Sequence, residues 1–115
     1  MASTSTAASP GSAALTQMYA VARSMFAAGS VAGSESALAM NFLMDRSAAN
    51  WAAEMTRLKQ EAGSCRTDTQ MVPTGALAGR FEWSCERGNI RGNLLLAPTT
   101  PPSIQALGLR FVARQ

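Results

Sequence analysis

The chain has 115 residues, one domain's worth, and its 47% of hydrophobic residues is ordinary for a globular protein with a modest core. The net charge is only +3, all but one of the ten basic residues are arginines, and no basic run or wealth of aromatics marks a nucleic-acid surface. With no histidine and two cysteines, the commonest general base and the usual metal ligands are missing, so no metal, cofactor or catalytic residue is expected.

Residues 1–11 are small and polar and lack the basic and apolar regions of a signal peptide. They read as a flexible linker or an expression leader, leaving 12–115 as a single α+β domain. No apolar run is long enough for a membrane span.

From Ser12 the apolar residues Leu15, Met18, Tyr19, Ala22, Met25 and Phe26 recur at helical spacing, and Gly29-Ser30 ends the run. A second helix is predicted from Ser34 as its cap, with Leu38, Met40, Phe42, Leu43 and Met44 giving a broad apolar surface. The third starts at Ser47, carries Trp51, Met55, Leu58 and Ala62 on one stripe and stops at Gly63.

The period then changes from helix to strand. Cys65–Met71, Leu77–Cys85, Ile90–Leu96 and Ile104–Ala113 read as four strands, with turn chemistry at Pro73-Thr-Gly75 and Arg87-Gly88-Asn89. Ala97-to-Ser103 is a proline-stiffened connection. Helices followed by a run of antiparallel strands predict N-terminal helices packed on one face of a curved four-stranded antiparallel sheet.

Register sharpens this picture. A first hairpin turn over Val72–Ala76, centred on Gly75, puts Cys65 opposite Cys85, at a separation close to what a disulfide needs. A second turn at Arg87-Gly88 or Gly88-Asn89 puts Phe81, Trp83 and Cys85 on one face with Ile90, Leu94 and Leu96, joined by Leu107, Leu109 and Phe111. The other face then carries Arg66, Asp68, Arg80, Glu82, Glu86, Arg91, Arg110 and Arg114. A Cys65–Cys85 disulfide is the reading, with two reduced buried cysteines as the alternative. The bridge implies an oxidising compartment. A catalytic thiol lacks an activating histidine.

Other chemistry finds little support. Glu82 and Glu86 share the polar face beside arginines and read as solvated, so nothing in the sequence favours acid/base catalysis by them. Gly88-Asn-Ile-Arg-Gly92 lacks the lysine and helix of a phosphate loop. The arginine stripe suits an anionic partner, but Asp68, Glu82 and Glu86 balance it as a solvated face.

The stretch GRFEWSCERG from Gly79 to Gly88, the stretch LAPTTPPSIQAL from Leu96 to Leu107 and the Gly63-Ser-Cys65 entry carry a resemblance. They resemble the small C-terminal domain of some bacterial serine hydrolases of the beta-lactamase and penicillin-binding-protein class. The resemblance is strongest in the last third of the chain and implies a nuclear-transport-factor-2-like, or cystatin-like, fold. It also implies a periplasmic or extracellular location. The hydrolases use a serine followed three residues later by lysine. Here the lysine is Lys59 and position 56 is Thr56, so no catalytic residue carries over.

The resulting expectation is a non-catalytic accessory domain of an exported serine hydrolase, serving stability, substrate approach or self-association. Its partners would be the hydrolase domain of the same chain and a second copy bound through the sheet, with no nucleic acid. The alternative is a small-molecule binding module whose pocket, between helices and sheet, is lined by Met18, Tyr19, Met25, Phe42, Trp51 and Trp83. A hydratase or isomerase in that pocket would need a buried carboxylate or histidine that the sequence does not offer.

Overall fold

In the computed structural model, which describes residues 10–113, helix α1 spans Pro10–Ala28. Its predicted stripe is the buried one: Leu15, Met18, Tyr19, Ala22, Met25 and Phe26 all face the core. The helix begins just upstream of the expected boundary at 12, and the rest of the expected leader, like Arg114, lies outside the described residues.

A continuous second helix does not form. Leu38 makes a parallel bridge with Ile104, and the Ala39 N–H donates to the Ile104 carbonyl at 2.8 Å. This holds Leu38 extended, at φ −102° and ψ 137°. The segment is therefore a 3-10 turn (Glu35–Ala37), an extended link and a single turn of helix, α2 (Phe42–Asp45). The Ser34 side chain makes no capping bond. Of the broad apolar surface only Phe42 is fully buried, while Met40 and Met44 are 91% and 79% exposed.

Helix α3 (Ala48–Ala62) follows its predicted pattern closely. The Ser47 hydroxyl accepts the Asn50 N–H at 3.2 Å, satisfying a free donor of the first turn. Trp51, Met55, Leu58 and Ala62 are buried. Gly63 closes the helix at φ +78°, a left-handed conformation that other residues adopt only with strain.

The sheet has five strands rather than four: β1 (Cys65–Arg66), β2 (Val72–Gly75), β3 (Ala78–Cys85), β4 (Gly88–Ala97) and β5 (Ser103–Ala113). All pairings are antiparallel and the order is β1-β3-β4-β5, with β2 sharing the β1 side of β3. The predicted strand Cys65–Met71 and turn Val72–Ala76 are replaced by β1, an excursion over 67–71 and β2. The turn itself falls later, between the paired residues Gly75 and Ala78.

The cysteines meet nonetheless. Carried back regularly from the Gly75–Ala78 pair, the ladder would set Cys65 opposite Gly88. Two irregularities restore the match. One lies between Pro73 and Gly75; the other is the excursion, where residues 67–71 face only 81–83. Cys65 pairs with Cys85 in the ladder, and the two are joined by a disulfide.

The β3–β4 turn sits at Glu86–Arg87, slightly earlier than expected, but the parity is unchanged. Phe81, Trp83, Cys85, Ile90, Leu94, Leu96 and Leu107 are buried together, with Leu109 and Phe111 partly so. A bulge between Leu95 and Leu96 switches the parity of β5, so Ile104 also faces inward. Gly92 pairs with Phe81, whose ring fills the space where a Cβ would stand. Helices α1 and α3 pack on this apolar face against β4 and β5. No helix among the described residues is long and apolar enough to cross a membrane.

The disulfide spans 20 residues in sequence, so in the loop-entropy description it stabilises the domain by about 3 kcal/mol. The C65A/C85A variant is expected to lose about that much unfolding free energy. Urea denaturation with and without reductant checks this: reductant should weaken the parent chain and leave the variant unchanged.

Candidate binding surfaces

The six residues expected to line a pocket are buried in the core, and three of them also border concavities: Tyr19 a groove beside α1, Phe42 and Trp51 one of about 210 Å3 against β5. Met18, Tyr19, Met25, Phe42, Trp51 and Trp83 are each at most 5% exposed and belong to one apolar cluster. Met18, Tyr19 and Met25 come from α1, Trp83 from β3, Phe42 from α2 and Trp51 from α3. Tilted ring pairs join Tyr19 to Phe81, Phe81 to Trp83 and Trp83 to Phe26, with centroids 4.8–5.0 Å apart. Phe42 and Trp51 form a separate stack at 5.1 Å, and the Arg46 guanidinium lies 4.6 Å from the Trp51 ring centre.

A polar relay crosses this core. The Trp83 indole N–H donates to the Tyr19 hydroxyl at 3.0 Å, and that hydroxyl donates to the Thr69 carbonyl at 2.7 Å. The excursion over 67–71 is thereby tied to α1. Arg23, one helical turn after Tyr19, lies over the Tyr19 ring at 4.9 Å and donates to the Thr67 carbonyl at 3.5 Å. Thr69 also donates to the Glu82 carbonyl at 3.0 Å, standing in for a lost ladder bond of β3.

The anchored segment and α1 enclose a groove of about 340 Å3, lined by Thr16, Tyr19, Arg23, Asp68, Gln70 and Met71 among others. The Arg23 Nε is buried there without a partner among the described residues. Sequence reasoning missed Arg23. The available signal was its helical spacing from Tyr19, which sets a cation on the edge of an apolar stripe.

A second concavity, about 730 Å3, runs across the outer sheet face over β3, β4 and β5. Arg80, Glu82, Arg91, Asn93 and Arg110 line it, with Gln70, Val72 and Leu109. Arg91 faces Glu82 on β3 and Arg110 on β5, so one row across the sheet reads Glu82, Arg91, Arg110. Glu82 lies 3.6 Å from Arg91 and also accepts from the Asn89 side chain.

The other two carboxylates expected on this face are engaged elsewhere. Asp68 sits on the excursion, 3.4 Å from Arg66. The Glu86 carboxylate accepts the Ser64 N–H at 3.0 Å, and its neighbour Arg87 donates to the Gln60 carbonyl at 3.0 Å, so this turn docks on the end of α3. Glu82 and Glu86 thus engage different partners, Glu82 on the sheet and Glu86 at the end of α3. No cluster of three or more histidine, cysteine or acidic side chains occurs among the described residues.

Comparison with protein-family models, with curated proteins and with solved structures gives no match to this chain.

Replacing Tyr19 by Phe removes the acceptor of a fully buried indole N–H and the tether of the excursion. An unsatisfied buried donor costs about 1–3 kcal/mol, and Y19F is expected to lose stability on that scale. Hydrogen exchange should also speed up at residues 67–71 while the α3 amides stay protected. Equal acceleration in both places would show that the relay has no local role.

Proposed function

We propose that this chain is a non-catalytic accessory module of an exported serine hydrolase of the beta-lactamase and penicillin-binding-protein class. In this reading the fold is a variant of the nuclear-transport-factor-2-like, or cystatin-like, type, and the location is periplasmic or extracellular. One observation carries the non-catalytic part. Met18, Tyr19, Met25, Phe42, Trp51 and Trp83 are buried between helices and sheet, and the concavities that Tyr19, Phe42 and Trp51 border have no pair of carboxylates set among apolar residues. The disulfide supports an oxidising compartment. The hydrolase parent rests on the residues of the Gly79–Gly88 and Leu96–Leu107 stretches.

Self-association through the sheet belongs to the same reading. The outer edge of β5 beyond its bridge to Leu38 has no strand partner among the described residues, so a second copy can add there. The Arg23 groove favours a second reading, a small-molecule binding module for a ligand with a hydrogen-bond acceptor. A buried Nε–H without a partner invites one.

The test is made on the hydrolase that carries this segment. Deleting the segment is expected to leave the rate of serine acylation by a fluorescent penicillin unchanged while lowering the unfolding midpoint. Loss of acylation in a deletion variant that still folds, or hydrolysis by the isolated segment, would overturn the accessory reading. Sedimentation over a range of concentrations checks self-association. Fragment binding that moves the Tyr19 and Arg23 resonances would favour the small-molecule reading.

A further inference from the structure

The outer sheet face is less balanced than its composition suggests. Arg80, Arg91 and Arg110 line one groove, and Glu82 is the acidic side chain among its lining residues. Neither Arg80 nor Arg110 has an ion-pair partner among the described residues. Arg91 and Arg110 are direct cross-strand partners, and like charges in that position repel. Glu82 reaches Arg91 at 3.6 Å, so the row carries two arginines and one carboxylate, and Arg110 and Arg80 are left without an acidic partner among the described residues.

We propose that this groove docks an extended acidic peptide bearing carboxylates at alternate positions. The spacing of the sheet sets the match. Arg91 and Arg110 stand on neighbouring strands, roughly 5 Å apart at the backbone, and Arg80 lies one strand and two residues from Arg91, roughly 8 Å away. Side chains at alternate positions of an extended peptide project on one side at intervals of about 6.5–7 Å, so successive carboxylates reach the Arg91–Arg110 pair and Arg80. Guanidinium forks bind carboxylates with two parallel hydrogen bonds, which suits arginine here better than lysine. The exposed flank of Val72 and the half-buried Leu109 supply apolar contact for the intervening residues.

A peptide fits better than a nucleic acid. The aromatic residue lining the groove is Phe81, whose ring is buried in the core and offers no stacking platform. Glu82, within the same row as Arg91 and Arg110, opposes a continuous polyanion but leaves room for spaced carboxylates.

The test is fluorescence anisotropy with a labelled peptide of alternating glutamate and threonine, its lysine counterpart and a thymidine oligonucleotide, at low and high salt. The acidic peptide is expected to bind at low salt, to weaken as salt rises and to outcompete both other probes. In the R91Q/R110Q variant its Kd should rise by about tenfold or more, the scale of one charge-assisted hydrogen bond. R66Q, which removes an arginine outside the groove, should bind as the parent chain does. Amide resonances of Arg91, Gly92, Gly108 and Arg110 in the unaltered chain should shift on peptide addition, which keeps the question decidable if the double variant folds poorly. Failure of the acidic peptide to bind, unchanged affinity in R91Q/R110Q or tighter binding of the oligonucleotide would each overturn the proposal. None of these outcomes depends on the identity of the parent hydrolase.

Discussion

The strict alternation of β3 governs the rest of the molecule. From Gly79 to Cys85 every odd residue is buried and every even residue is exposed. The strand is paired on both sides, by β4 along one edge and by β1 and β2 along the other, so a slip of one residue would affect three pairings together. Arg80 and Glu82 would enter the core, Phe81 and Trp83 would meet water, and Cys85 would leave Cys65. Burying an aromatic ring stabilises by a few kcal/mol, and an unpaired buried charge costs at least as much, so the register is held firmly.

That rigid strand tolerates an irregular neighbour. The excursion over 67–71 breaks the ladder on the β1 side of β3, and buried backbone groups left unpaired would be costly. Side chains from elsewhere meet part of the need: Tyr19 and Arg23 reach from α1 to the carbonyls of Thr69 and Thr67, and the Thr69 hydroxyl reaches the carbonyl of Glu82. The same tyrosine satisfies the indole of Trp83. One hydroxyl thus serves a fully buried aromatic residue of the sheet and the irregular part of its edge. The excursion also builds a groove beside α1, because its residues stand away from the sheet.

The two faces of the sheet have opposite characters for one reason. Inward positions close on α1 and α3; outward positions are left with their charges. How those charges are distributed was not a matter of composition. Asp68 went with the excursion and Glu86 with the turn that seats on α3, so among the described residues lining the groove with Arg80, Arg91 and Arg110 the acidic one is Glu82. A face that looks neutral along the chain is cationic in the groove.

Local pattern determined much of this protein. The stripe of α1, the Ser47 cap and Gly63 stop of α3, and the alternation of β3 and β4 are all set by near neighbours in sequence, where spacing and turn chemistry act directly. The pairing of Cys65 with Cys85 was legible too, though from a turn placed too early, because the two sheet irregularities offset the displaced turn. Tertiary structure decided the rest. The helix expected from Ser34 lost to the bridge between Leu38 and Ile104, two residues far apart in sequence. The fifth strand arose because 67–71 could be held by a tyrosine and an arginine from α1. The six apolar residues are buried because helices α1 to α3 close over them, with Tyr19, Phe42 and Trp51 still bordering concavities at the margins. In each case the deciding partner lies on a distant element, and periodicity carries no information about which distant surfaces meet.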